Sequence, residues 1–190
     1  MFGYRQLMDE SYSAHKKFKQ EWADWQNGKR KKDKKAKGNV EPESVTKARN
    51  EFLQKNDSLY SLKIYPLEKN FWETPHSAFA ELIEFLSVDI AAFRCGYAKE
   101  VFLQRLKNIE LTAIEIKQIQ QVALKMCETE NVRREFRRWC RLMIRLADAE
   151  FILNLSGLSK NGNSLTRLKA NWMLELLERH RTDLRKAIEN

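Results

Sequence analysis

Apolar side chains recur at three- and four-residue steps through most of this chain, the spacing that keeps them on one face of an α-helix. The first such stripe is Tyr4, Leu7, Ser11, Ala14, Phe18, Trp22 and Trp25. It predicts an amphipathic helix over residues 4–26, with His15 inside the stripe as a packing residue. The pattern fails at "GKRKKDKKAKG", and Pro42 follows in "NVEPES". Residues 27–45 therefore read as a basic linker with little to bury. A short helix is expected over 44–57. The stretch "SLYSLKIYPLEKNFW" (58–72) is apolar without a clean period and is interrupted by Pro66, so it reads as extended packing.

Thr74 and Pro75 suit the cap and first position of a helix, since proline lacks only a donor that would be unpaired there. That helix is expected to run through "AFAELIEFLSVDIAAF" and stop near Gly96. A short helix over 97–107 follows. Thr112 and Glu115 have capping-box spacing and open a helix through Ile116, Ile119, Val122 and Met126. "ETEN" closes it. An arginine-rich helix is expected over 130–154, then a loop at "SGLSKNGNS" and a last helix over 165–188. The fold class is all-α: a bundle of antiparallel helical hairpins. Its organisation reads as an N-terminal helix (1–26), a lysine-rich linker (27–45) and a helical core (46–190).

Composition sharpens this. Six glycines and three prolines among 190 residues leave few interruptions for helices. The three cysteines, Cys95, Cys127 and Cys140, are widely spaced and odd in number. They read as buried free thiols in an intracellular protein, cytoplasmic, or nuclear if the source is eukaryotic. No run of about 18 apolar residues suits a membrane span, and the N-terminus lacks the basic-then-apolar order of a secretory signal.

Charge is the most informative feature. The formal net charge is +9, and two short places hold almost all of it. One is the linker, with Lys29, Arg30, Lys31, Lys32, Lys34, Lys35 and Lys37. The other is "RREFRRWCRLMIR" (133–145). On a helix, Arg133, Arg134, Arg137, Arg138, Arg141 and Arg145 fall within about 140° of arc, opposite Phe136, Trp139, Cys140, Met143, Leu146 and Ala147. A solvated face usually mixes both signs, because like charges four residues apart repel. Arginine also presents a planar fork that matches phosphate or carboxylate oxygens two at a time.

These features point to a non-enzymatic protein that holds the phosphate backbone of DNA or RNA. The arginines would form a rigid track, the lysines a tethered clamp, and further protein subunits are expected in a nucleoprotein assembly. The alternative is an adaptor or inhibitor docking onto an acidic partner surface. Pairing of the arginines with acids of this same chain, Glu110 or Glu115 among them, is the competing structural explanation. No phosphate-loop, dinucleotide-binding, nucleophile-elbow or zinc-protease motif occurs. His15, His76 and His180 have no metal or triad spacing, so no cofactor or metal is expected. Asp89 and Glu150 project toward apolar faces, which suggests buried ion pairs or positions at the edge of the core; the alternative is a shared metal or general-base site of a nuclease-like enzyme.

Overall fold

Local capping explains where several helices begin. The computed structural model describes residues 4–32, 41–88, 95–130 and 135–189, and they are all-α, with no strand among them. The helices are α1 (Tyr4–Lys32), α2 (Glu43–Leu59), α3 (Tyr65–Glu73), α4 (Phe79–Ser87), α5 (Cys95–Leu106), α6 (Ala113–Glu128), α7 (Phe136–Leu146), α8 (Ala149–Asn161) and α9 (Ser164–Glu189). Thr112 and Glu115 form the expected capping box of α6. Asp148 accepts from the Phe151 amide at 2.8 Å to open α8, and Asn163 accepts from the Thr166 amide at 2.8 Å to open α9.

The described residues up to Lys69 form one compact unit and those from Asn70 onward a second. In the first, α1 and α2 pack antiparallel, as the 2.7 Å ion pairs Lys55–Glu10 and Lys17–Glu51 show. Leu7, Met8, Ser11 and Ala14 of α1 and Val45, Ala48, Phe52 and Leu59 of α2 are buried. Thus α2, expected in the core domain from residue 46, pairs with the N-terminal helix, because its stripe at three- and four-residue steps matches that of α1.

Helix α1 also runs past the expected boundary at 26, taking in Lys29, Arg30, Lys31 and Lys32. Lysine and arginine are good helix formers, and Asn27 and Gly28 are the weak ones there. Lys34, Lys35 and Lys37 lie outside the described residues.

Residues 58–72 are helical, not extended. Tyr60–Ile64 form a π-helical turn between α2 and α3. A proline inside a helix lacks a donor and crowds the preceding turn; the widened turn just before Pro66 is where that disruption is absorbed.

In the second unit the helix expected from Pro75 begins only at Phe79. The Thr74 hydroxyl does not cap forward; it donates back to the Asn70 carbonyl at 3.2 Å, closing α3. Helix α4 stops at Ser87, with Val88 extended. Gly96 is the second residue of α5, not a terminator. A β-carbon there would lie 3.3 Å from Oε2 of the buried Glu135, so glycine allows that carboxylate to approach.

The arginine-rich helix expected over 130–154 is two helices, because Asp148 opens a new one. The loop expected at 156–164 is mostly helix α8. Ser156 and Ser159 satisfy their hydroxyls on the carbonyls of Ile152 (2.7 Å) and Ser156 (2.8 Å), and buried Leu155 anchors the helix. Phe102 meets Phe71 and Phe85 edge-on at 5.6 and 5.8 Å, and Trp139 is buried with them in this unit.

The C-terminal ends of four successive helices are closed by side chains from other helices. Lys99 donates to the carbonyls of Leu86 (3.5 Å) and Val88 at the end of α4. Arg145 donates to those of Leu106 (3.4 Å), Lys107 and Ile109 (2.9 Å) past α5. Lys169 reaches Met126 and Thr129 past α6, and the Gln120 amide reaches Leu146 O at 2.7 Å at the end of α7. A cation or amide donor there satisfies orphan carbonyls, and a cation also complements the helix dipole.

Candidate nucleic-acid interface

Helix α7 sorts its side chains as its sequence dictates. Phe136, Trp139, Cys140, Leu142, Met143 and Leu146 are buried, while Arg137, Arg141 and Arg145 are exposed and Arg138 is half-buried. Ala147, expected on the packed side, is half-buried. Arg133 and Arg134 lie outside the described residues.

The four described arginines do different things. Arg145 is engaged by the carbonyls beyond α5, so its main role is to close that helix. Arg138 lies 3.6 Å from Oε2 of Glu100 and donates to Oε1 of Gln104 at 3.4 Å. The Arg137 guanidinium sits 5.7 Å from the centre of the Trp172 ring. Arg141 has no ion-pair partner among the described residues, and neither does Lys107. Among the described residues, the competing explanation, pairing with acids of the same chain, therefore holds for Arg138 alone of these four.

What remains is a small cationic patch. Partial burial and the nearby guanidinium groups of Arg141 and Arg138 pull the Lys107 ammonium below its usual value. The part of that shift owed to the two guanidinium groups marks a place where positive charges lie close together. Nothing in the sequence around Lys107 marks it as part of this patch. It stands just past α5, and only folding brings it to α7.

The carboxylates singled out as a possible acid site are not brought together. Glu150 is exposed and pairs with Lys117 at 2.5 Å, beside Asp148 at 2.9 Å; it does not project onto the apolar face, because the break at Ala147–Asp148 resets the helical phase. Asp89 lies outside the described residues. No cluster of three metal-ligating groups occurs among the described residues. His15 stacks on Phe52 at 4.8 Å, a packing role. His76 bonds Oε1 of Glu115 at 2.8 Å, so one carboxylate serves both a capping box and an imidazole 39 residues away. All three cysteines are free and buried, and burial raises Cys95 to about 11 and Cys127 and Cys140 to about 12.

Fold and surface together define an all-helical protein whose α5–α7 side carries Lys107, Arg137 and Arg141 with no ion pair among the described residues, beside the paired Arg138. Family models, curated proteins and solved structures give no match to this chain. No helix among the described residues is long and apolar enough to cross a membrane.

Proposed function

We propose that this protein is a non-enzymatic, intracellular nucleic-acid-binding protein that grips backbone phosphates, as a component of a nucleoprotein assembly. The observation that carries this reading is Arg141: an exposed guanidinium without an ion pair among the described residues, which together with Arg138 disfavours the charge on nearby Lys107. A phosphate oxygen pair placed there relieves that repulsion, and the arginine fork binds it bidentately. Arg137 extends the patch. The basic run from Lys29 to Lys37 supplies further point charges that add affinity without reading sequence.

The test is a salt titration of binding to a duplex of arbitrary sequence. Phosphate contact predicts that log affinity falls linearly with log salt, with a slope of about 0.9 per neutralised phosphate. Arg141→Gln should lower that slope by about one and leave the melting temperature unchanged. Arg145→Gln should instead destabilise the fold, since it exposes the end of α5. Absence of oligonucleotide binding at low salt refutes the proposal and leaves an acidic protein surface as the partner of the patch.

A further inference from the structure

We infer that the first unit carries a stacking site for the bases of single-stranded nucleic acid, formed by Trp22 with Phe18, Lys19 and Arg49. The inference rests on the nucleic-acid reading above and deepens it by naming the kind of strand. The site is a recess of about 220 Å³ lined by those four side chains. Ligand pockets for drug-sized molecules span roughly 300–1,000 Å³, so this one suits a single flat ring at the end of a larger ligand.

Its walls have the two properties that base stacking needs. The first is an aromatic plane held in place before the ligand arrives. Trp25 meets Trp22 edge-on at 4.9 Å with 74° between the rings, and Phe18 lies against it at 6.2 Å. Phe18 in turn stacks parallel on Phe52. Trp22 nonetheless keeps 37% of its surface exposed. A core tryptophan would be covered, and an unsupported surface one would lose side-chain freedom on binding.

The second property is cations beside the rings. The Arg49 guanidinium sits 5.8 Å from the centres of both Phe18 and Trp22, and its outer nitrogen is held at 2.7 Å by Glu41. Lys19 is exposed at the rim. The backbone of α1 then carries the basic run: Lys29 begins about 10 Å of helix rise beyond Trp22. Aromatic faces next to a positively charged track are the pattern by which single strands are held without sequence preference, because every base has a π-face and a phosphate. A duplex keeps its bases stacked inside and gains only from the charges.

Fluorescence anisotropy with a labelled oligo-dT strand and a duplex of equal length tests this on the full chain. Trp22→Leu keeps apolar bulk against Phe18 and should weaken single-strand binding about ten-fold while leaving duplex affinity within about two-fold. Trp72→Leu, at an exposed tryptophan of the other unit, should change neither. Equal weakening on both ligands, or on neither, overturns the inference while the phosphate reading stands; loss of all oligonucleotide binding by the unaltered protein overturns both. Should the leucine variant fail to fold, photocrosslinking of the unaltered protein to a 5-iodouracil strand decides: adducts within residues 18–25 support the site, and adducts only elsewhere refute it. Competition by polyglutamate that is itself abolished by Trp22→Leu would make the recess a peptide dock and refute the base assignment.

Discussion

Lys169 is fully buried, and its ammonium donates to Thr129 O at 2.6 Å, Thr129 Oγ1 at 2.7 Å and Met126 O at 3.0 Å. Replacing it with methionine keeps the length and removes the charge. Two effects oppose each other. Relief of the buried charge stabilises, since holding an ion away from water costs several kcal/mol after relaxation. Against this stand three short bonds from a charged donor, each worth about 1.5–3 kcal/mol, and the interaction with the α6 terminus, about 0.3–2 kcal/mol. Met126 O would keep a donor, the Thr129 hydroxyl at 2.9 Å, but Thr129 O would lose its ammonium donor. The bonds exceed the desolvation relief, so Lys169→Met should destabilise by about 2–4 kcal/mol, near the cost of breaking other buried charged networks. At roughly 2–4 °C per kcal/mol for a chain of this size, the melting temperature should fall by about 5–15 °C in a circular-dichroism melt. Lys160→Met, on the exposed side of α8, should stay within about 0.5 kcal/mol. A Lys169→Met protein that melts at or above the unaltered one would show that desolvation dominates and that the cap is not stabilising.

Three further outcomes are expected. Gly157 lies inside α8, and no atom comes within 4 Å of the place a β-carbon would occupy, so Gly157→Ala should stabilise by about 0.5–1 kcal/mol; at Gly162 a β-carbon would meet Leu158 O at 2.7 Å, and Gly162→Ala should cost about 1–3 kcal/mol in urea unfolding. Asp148 is held at about 2 by the Phe151 amide, Lys117 and Gln120, below its usual 3.8; a depressed carboxylate stabilises above its unfolded value and loses this as pH falls, so Asp148→Asn should flatten the stability decline between about pH 4 and 2 while the unaltered protein keeps it. The buried thiols should resist a disulfide-exchange reagent at about pH 8 and all react once urea unfolds the chain; rapid native labelling of Cys95, Cys127 or Cys140 would contradict their raised values.

Features encoded by near neighbours are legible in the sequence. The Thr112–Glu115 capping box needs only four consecutive residues, and the separation of arginines from apolar groups on α7 needs only helical phase. Features that depend on residues far apart are not. Asp148 pairs with Lys117, 31 residues away, only once α6 and the start of α8 meet. Nothing local distinguishes Arg145, which closes α5, from Arg141, which does not. Lys107 joins the arginines, and His76 joins Glu115, only once separate helices meet. A usable signal lies in Lys99, Gln120 and Lys169, polar groups on the buried sides of their helical wheels; such groups need partners, and helix ends are where partners are found. Residues 58–72 hide their helicity because a π turn disrupts the very period by which helices are recognised.

Lys99 and Lys169 are 2% and 0% exposed in a chain otherwise rich in surface lysine. An acylating reagent applied to the native protein should modify the outer lysines within minutes and leave these two silent. Their appearance in a peptide map would then time the opening of the helix ends they guard, giving a chemical clock for unfolding that needs no introduced probe.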